Sequence, residues 1–191
     1  MNINPSDTVK EIFSLYEKFG HADYIGEPVS QLEHMSQSAQ LAMSEGFDDE
    51  VILAAFFHDI GHICVMNHSE NSMDGLGVRS HEKIGAGYLR TKGFPERVAK
   101  LVENHVQAKR YLTFKFPEYY QQLSEASRKT LEFQGGIMTI AEAVFFENSP
   151  LFETSIRMRK WDELAKETNV RVIDLKEIKE IAKRVLSQVA L

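Results

Sequence analysis

Apolar positions recur at three- and four-residue intervals through most of the chain, the period of a helix with one buried face. Val9, Ile12, Phe13, Tyr16 and Phe19 trace the first such face, which stops at Gly20. A polar stretch with Tyr24-Ile25-Gly26-Glu27-Pro28 follows. Ser30, with Glu33 three residues on, forms a capping box for a second helix that ends at Gly46. After Asp48-Asp49 comes an apolar run, Val51 to Phe57, which predicts a helix buried on all sides. That helix carries His58-Asp59 and leads into Gly61-His62. A Gly- and Ser-containing loop is expected from Asn67 to Val78. Ser80 reads as the cap of a helix from His81 to about Lys92, stopped by Gly93, and Pro95 as the opening of a helix with His105 and Lys109. Phe114, Phe116 and Pro117 mark a loop before the segment Leu123 to Gln134, which Gly135-Gly136 breaks. Helices from Ile137 to about Phe146, from Asn148-Ser149-Pro150 to about Glu167, and from Asp174 to Val189 complete the pattern. Asn169 to Ile173 is the only strand candidate. There is no repeat, low-complexity tract or linker, so the expectation is an all-α fold, a single helical-bundle domain over residues 1–191.

Composition narrows the function classes. The chain has 191 residues, 43% of them hydrophobic, which is enough for a sizeable core. A net charge of −6 argues against general binding to nucleic acid or an acidic membrane. No apolar stretch is long enough to span a bilayer. The start, Met1-Asn2-Ile3-Asn4-Pro5, lacks the features of a secretory signal. Cys64 is the single cysteine, so no internal disulfide forms and the expected location is cytoplasmic. Cys64 itself reads as a small buried residue and not as a nucleophile.

The chemistry concentrates at His58-Asp59. Burying a carboxylate beside an imidazole is costly unless something pairs with both. A metal ion is the usual partner, and imidazole nitrogen with a bridging carboxylate suits iron, manganese or zinc. Of the seven histidines, His34, His58, His81 and His105 fall within helices or at a helix start beside apolar residues. If they were only core residues, each would need its own hydrogen-bond partners. Four of them plus an adjacent Asp point to a shared metal centre. His21 and His68 are expected at the surface.

The order His34, His58-Asp59, His81, His105 and a late Asp resembles the HD-domain superfamily. Its simplest members are phosphohydrolases that hold one metal on an H…HD…D pattern. The two additional histidines are similar to the six-ligand version in myo-inositol oxygenase and in the HD-domain mixed-valent diiron oxygenases that cleave phosphonates. That resemblance implies a metal site in the core of the bundle. His34, His58, Asp59 and the late Asp would hold one iron, Asp59 would bridge, and His81 with His105 would hold the second, as an Fe(II)/Fe(III) pair. Asp162, in a helix with Ile156, Met158 and Trp161 to bury, is the expected late Asp, whereas Asp174 reads as a helix cap.

Several polar residues stand in helical register with these ligands. His62 is four after His58, Lys109 four after His105 and Arg159 three before Asp162, while Ser127 and Thr130 share a face. Lys, Arg, His and two hydroxyls together suit a phosphate or phosphonate oxyanion. The loop Tyr24-Ile25-Gly26-Glu27 resembles that of the PhnZ-type 2-amino-1-hydroxyethylphosphonate dioxygenases, as does the stretch from Leu123 to Gly136. The resemblance covers about Tyr24 to Glu167. It implies that Tyr24 ligates the substrate-binding iron at rest and moves off when substrate arrives, and that Glu27 meets the substrate amine.

The implied activity is oxygen-dependent cleavage of the C–P bond of (R)-2-amino-1-hydroxyethylphosphonate to glycine and phosphate, in 2-aminoethylphosphonate catabolism. Tyr24, Glu27, His62 and Lys109 would serve the chemistry, and Ser127, Thr130 and Arg159 would join them in binding substrate. The expected partners are a small organophosphonate and O2, with no nucleic acid and no membrane, in a monomer or weak homo-oligomer. Three rivals stand beside this expectation. One is an oxygenase of the same type on an N-methylated aminophosphonate or a polyol, another a metal-dependent phosphohydrolase, and the third a binding protein on a degenerate HD scaffold.

Overall fold

The computed structural model describes residues 4–24, 26–64, 73 and 75–189. They contain eleven helices: α1 (Pro5–Phe19), α2 (Gln31–Ser44), α3 (Asp49–Phe57), α4 (Ile60–Cys64), α5 (His81–Thr91), α6 (Glu96–Lys115), α7 (Pro117–Gln122), α8 (Glu125–Phe133), α9 (Ile140–Glu147), α10 (Phe152–Leu164) and α11 (Leu175–Val189). The pairing of extended backbone among the described residues is confined to an isolated antiparallel bridge between Asp23 and Ser30. None of the helices is long and apolar enough to cross a membrane.

The apolar run predicted to be buried all round forms the centre. Val51 through Phe57 are all buried, and α3 is walled in by α2, α6, α10 and α11. Phe56 and Phe57 pack with Phe13 and Tyr16 of α1. Each such side chain contributes roughly 1.5–3 kcal/mol on leaving water. A second, smaller cluster gathers Tyr111, Leu112, Tyr119, Met138 and Phe146 from α6, α7, α9 and the turn before α9. The Ser30–Glu33 capping box holds as the sequence predicts: Glu33 accepts from the Ser30 amide at 2.7 Å. Asp174 caps α11, accepting from the Lys176 amide at 2.9 Å.

Five expectations need correction. The central helix does not carry His58 and Asp59 through: α3 stops at Phe57, and a separate helix, α4, starts at Ile60. The cause is tertiary. At Gly61 an added Cβ would lie 1.9 Å from the His81 carbonyl oxygen, so α4 crosses the start of α5 at a distance only glycine permits. Ser80 does not cap α5 with its side chain; it sits in the left-handed region at φ 58° and makes the corner that delivers His81. Phe114 lies inside α6, which runs to Lys115, and α7 occupies part of the expected loop. The later helices start deeper than predicted: Thr139 caps α9 with Glu142 in a second capping box, and α10 begins at Phe152. No strand forms at Asn169–Ile173, where Asn169 turns the chain with a φ of 63°. Cys64 is half-buried at the end of α4, and burial lifts its thiol pKa to about 12. His21 is exposed, as expected. His68 and most of the predicted loop from Asn67 lie outside the described residues.

Candidate metal centre and active site

Six of the predicted site residues converge from five places in the chain. His34 comes from α2, His58 and Asp59 from the break between α3 and α4, His81 from the start of α5, His105 from α6 and Asp162 from α10. All six are at most 4% exposed.

The imidazoles form two facing pairs. The Nε2 atoms of His34 and His58 are 3.0 Å apart, as are those of His81 and His105. Each ring anchors its other nitrogen on a backbone carbonyl. His34 Nδ1 donates to Ala165, His58 to Ala55, His81 to Val78 and His105 to Val102, at 2.8, 2.8, 3.2 and 2.6 Å. A carbonyl only accepts, so each neutral ring keeps its proton on Nδ1 and turns an Nε2 lone pair inward. Two lone pairs facing at that distance repel each other unless a proton or a metal ion lies between them, and either a raised imidazole pKa or a bound metal meets that need. This carbonyl anchoring is how proteins orient metal-ligating histidines.

Asp59 spans the two pairs. Its Oδ1 lies 3.2 Å from His81 Nε2 and 3.5 Å from His105 Nε2. Its Oδ2 lies 3.4 Å from His58 Nε2 and 3.6 Å from His34 Nε2. One oxygen thus serves each pair, as a bridging carboxylate does. Asp162 Oδ1 stands 3.4 Å from His34 Nε2, beside the first pair only. Burial resists charge on both carboxyls, but His58 and His81 around Asp59, and Arg159 and His34 around Asp162, hold each pKa well below the usual range. Burial likewise opposes charging His58, yet the adjoining Asp59 prevails and raises its pKa to about 9. Without a metal, the two carboxylates are balanced by Arg159 beside Asp162 and by a proton on His58 beside Asp59, and a bound metal ion would replace that proton. Ligand atoms of His34, His58 and Asp59 lie close enough together to hold one metal ion, and so do those of Asp59, His62 and His81, with Asp59 common to both groups.

A pocket opens on the second pair. It is lined by Asp59, His81, His105 and Asp162, and by Tyr24, Glu27, His62, Lys109, Ser127, Thr130 and Arg159. Every residue expected to meet substrate therefore reaches one cavity. His62 stacks on His81 with ring centroids 4.0 Å apart, and its Nδ1 accepts from the Val78 amide at 3.0 Å. That places its proton on Nε2 in the neutral ring, which then presents a donor to the cavity, although its ligand atom also lies close enough to those of Asp59 and His81 to share an ion with them. Burial, reinforced by His81, lowers its pKa to about 3 and keeps it neutral. Gly77, at φ 104°, makes room for it: a Cβ there would lie 2.7 Å from His62 Cε1.

Lys109 donates to Thr130 Oγ1 at 3.1 Å and to the Ser127 carbonyl at 3.3 Å. Burial, then the charge of Arg159, lowers its pKa to about 7. Arg159 Nε bonds the Tyr119 hydroxyl at 2.9 Å, and Nη1 pairs with Asp162, while Nη2 is buried without a partner among the described residues. A spare guanidinium donor in a closed site is a place for an oxyanion. Tyr24 stacks on His34 at 4.0 Å. Enclosure, then Asp59 and Asp162, push its phenol pKa well above the ordinary value.

Three pocket-side residues escaped the sequence reading. Gln31 and Gln134 line the cavity, each with a buried side-chain oxygen that has no partner among the described residues. Lys166 pairs with Glu27 at 2.5 Å. The register that singled out Lys109 applies to them as well: Gln31 is three before His34, Gln134 four after Thr130 and Lys166 four after Asp162.

The HD domain family profile matches residues 31–178. An uncharacterised protein of Acanthamoeba polyphaga mimivirus is 48% identical over 158 residues, 83% of this chain and 72% of its own length. The glycine-betaine-forming 1-hydroxy-2-(trimethylamino)ethylphosphonate dioxygenase of Leisingera caerulea is 38% identical over 172 residues, 90% of this chain and 87% of its own. The hydroxymethylphosphonate dioxygenase of Gimesia maris is 39% identical over 173 residues, 91% and 85% of the two chains.

Proposed function

Because the chain belongs to the HD-domain family and aligns along most of its length with phosphonate dioxygenases, we propose that it is an oxygenase that cleaves the C–P bond of a small 1-hydroxyphosphonate. The observation that carries this reading is the pairing of two metal-binding donor groups that share Asp59 with Arg159, which lines the same cavity and keeps a buried, unpartnered Nη2. The finer reading takes (R)-2-amino-1-hydroxyethylphosphonate to glycine and phosphate.

The proposed ligands are His34, His58 and Asp162 for one iron, His81 and His105 for the other, and Asp59 between them. Two irons would supply the redox chemistry and the Lewis acidity. The chain supplies the rest. Arg159, Lys109 and the neutral His62 Nε2–H hold the phosphonate oxygens, with Thr130 and Ser127 fixing Lys109. Glu27, once its Lys166 partner is displaced, faces the ammonium. Tyr24 shields the centre from solvent until substrate enters. The reaction balances with one O2: the C1–H and C1–P bonds break, C1 gains one oxygen to become a carboxylate, and phosphorus gains the other to become phosphate. The alcohol carbon and the phosphorus are oxidised, dioxygen is reduced, and the C1 hydrogen leaves as a proton.

One observation weighs against an N-methylated substrate. A trimethylammonium cannot donate hydrogen bonds and relies on aromatic walls, yet among the described residues Tyr24 is the one Phe, Tyr or Trp lining this pocket. The buried oxygens of Gln31 and Gln134 are acceptors that suit N–H donors instead.

The test is product analysis of iron-loaded protein given (R)-2-amino-1-hydroxyethylphosphonate with and without oxygen. Glycine and phosphate formed only in oxygen support the reading. Phosphate released anaerobically would favour a phosphohydrolase and overturn it.

A further inference from the structure

Apart from Asp59 and Asp162, Glu27 is the one carboxylate residue lining the pocket among the described residues. It is not free. Its Oε1 accepts from Lys166 Nζ at 2.5 Å, and the two side chains are only 10% and 18% exposed. An ion pair so enclosed has lost most of its solvent screening and is not a passing surface contact.

Lys166 is also firmly placed. It sits in the turn after α10, between two residues whose backbones are tied to α2. On one side the Ala165 carbonyl accepts from His34 Nδ1 at 2.8 Å. On the other, Glu167 bonds Gln37 in both directions, its carbonyl accepting from Nε2 at 2.9 Å and its amide donating to Oε1 at 3.1 Å. The backbone at Lys166 cannot drift without breaking the support of His34. The pocket carboxylate Glu27 therefore already holds an ammonium, that of Lys166, before any substrate amine could reach it.

We propose that Lys166 is a specificity-determining residue: its ammonium fills the cation position at Glu27, so hydroxyphosphonates without an amine bind directly and aminated ones bind only by displacing Lys166. This rests on the reading of the pocket as a phosphonate site. The chemistry follows from charge. With Lys166 in place, the pocket offers Lys109, Arg159 and a neutralised Glu27, which matches a plain hydroxyalkylphosphonate. With Lys166 removed, Glu27 is an uncompensated carboxylate, which attracts an ammonium and repels a molecule that is only anionic.

The test compares Kd values of iron-loaded protein for hydroxymethylphosphonate and (R)-2-amino-1-hydroxyethylphosphonate. They are measured by calorimetry without oxygen, so that no turnover intervenes. In Lys166→Met the ratio of the two constants should shift toward the aminated compound by about fivefold or more, the equivalent of losing one partly buried ion pair. Lys166→Arg, which keeps the charge, should retain the wild-type ratio. An unchanged ratio in Lys166→Met would overturn the proposal, as would an equal shift in Lys166→Arg. If the wild type binds neither compound, the phosphonate reading of the pocket falls, and this inference falls with it.

Discussion

Replacing Arg159 by Lys probes the oxyanion site with a single group. The guanidinium is 4% exposed and divides its donors. Nε serves the Tyr119 hydroxyl and Glu163, Nη1 serves Asp162, and Nη2 has no protein partner among the described residues. A charge-assisted hydrogen bond from Nη2 to a phosphonate oxygen is worth about 1.5–3 kcal/mol. At about 1.4 kcal/mol per factor of ten, its loss weakens substrate binding roughly 10- to 100-fold. Lysine keeps the positive charge beside Asp162 but has one ammonium where arginine has a fork, so it cannot serve Asp162 and the oxyanion together. Methionine would be a poorer probe, because stranding the buried Asp162 carboxylate costs about 3–5 kcal/mol by itself. The assay is steady-state turnover at saturating oxygen, with iron content and melting temperature measured on the same preparation. Arg159→Lys should raise KM for the phosphonate, and Ki for inorganic phosphate, by roughly 10- to 100-fold with iron retained. An iron-replete variant with wild-type KM would refute the assignment of Nη2 to substrate.

Three further predictions follow from the geometry. Gly61→Ala forces a Cβ to within 1.9 Å of the His81 carbonyl oxygen. It should cost at least the upper end of about 1–3 kcal/mol and lower Tm by roughly 5–10 °C; an unchanged melt would show that α4 and α5 can part freely. Chelating the metal should destabilise the fold. Ions at a hundredfold excess over Kd contribute about 2.7 kcal/mol, so calorimetry should show a Tm difference of roughly 5–10 °C between loaded and stripped protein. Lys109, with its folded pKa lowered from 10.5 to about 7, is a cation only below that pH. Phosphonate affinity should therefore fall as pH rises through 7, a limb missing in Lys109→Met. The unfolded chain binds the extra proton between about 7 and 10.5, so stability gained from this group rises with pH across that window. A flat affinity profile from pH 6 to 9 would remove Lys109 from the oxyanion site.

The centre was legible because its residues break the apolar rule. His34, His58, Asp59, His81, His105 and Asp162 are titratable groups set in stretches whose apolar pattern predicts buried faces, and few structures other than a metal centre accommodate six of them. The helix break at His58-Asp59 was not legible, since Ile60 and Ile63 continue the apolar pattern. The turn is imposed by the crossing of α4 on α5 at Gly61. Ser80 has the residue type of a cap, and only the path of the chain into His81 shows it as a left-handed corner. Lys166 and Glu27 are 139 residues apart in sequence. Lys166 lies four residues after Asp162 but past the end of α10, and nothing local tied it to the loop after α1.

The most direct measurement is the iron content and spin state of the purified protein, by elemental analysis with Mössbauer and electron paramagnetic resonance spectroscopy. Two facing histidine pairs joined by one carboxylate predict two irons per chain that are magnetically coupled through Asp59, with the coupling lost in Asp59→Ala. A single iron per chain, or two that show no coupling, would contradict the bridged centre on which the proposed oxygen chemistry depends.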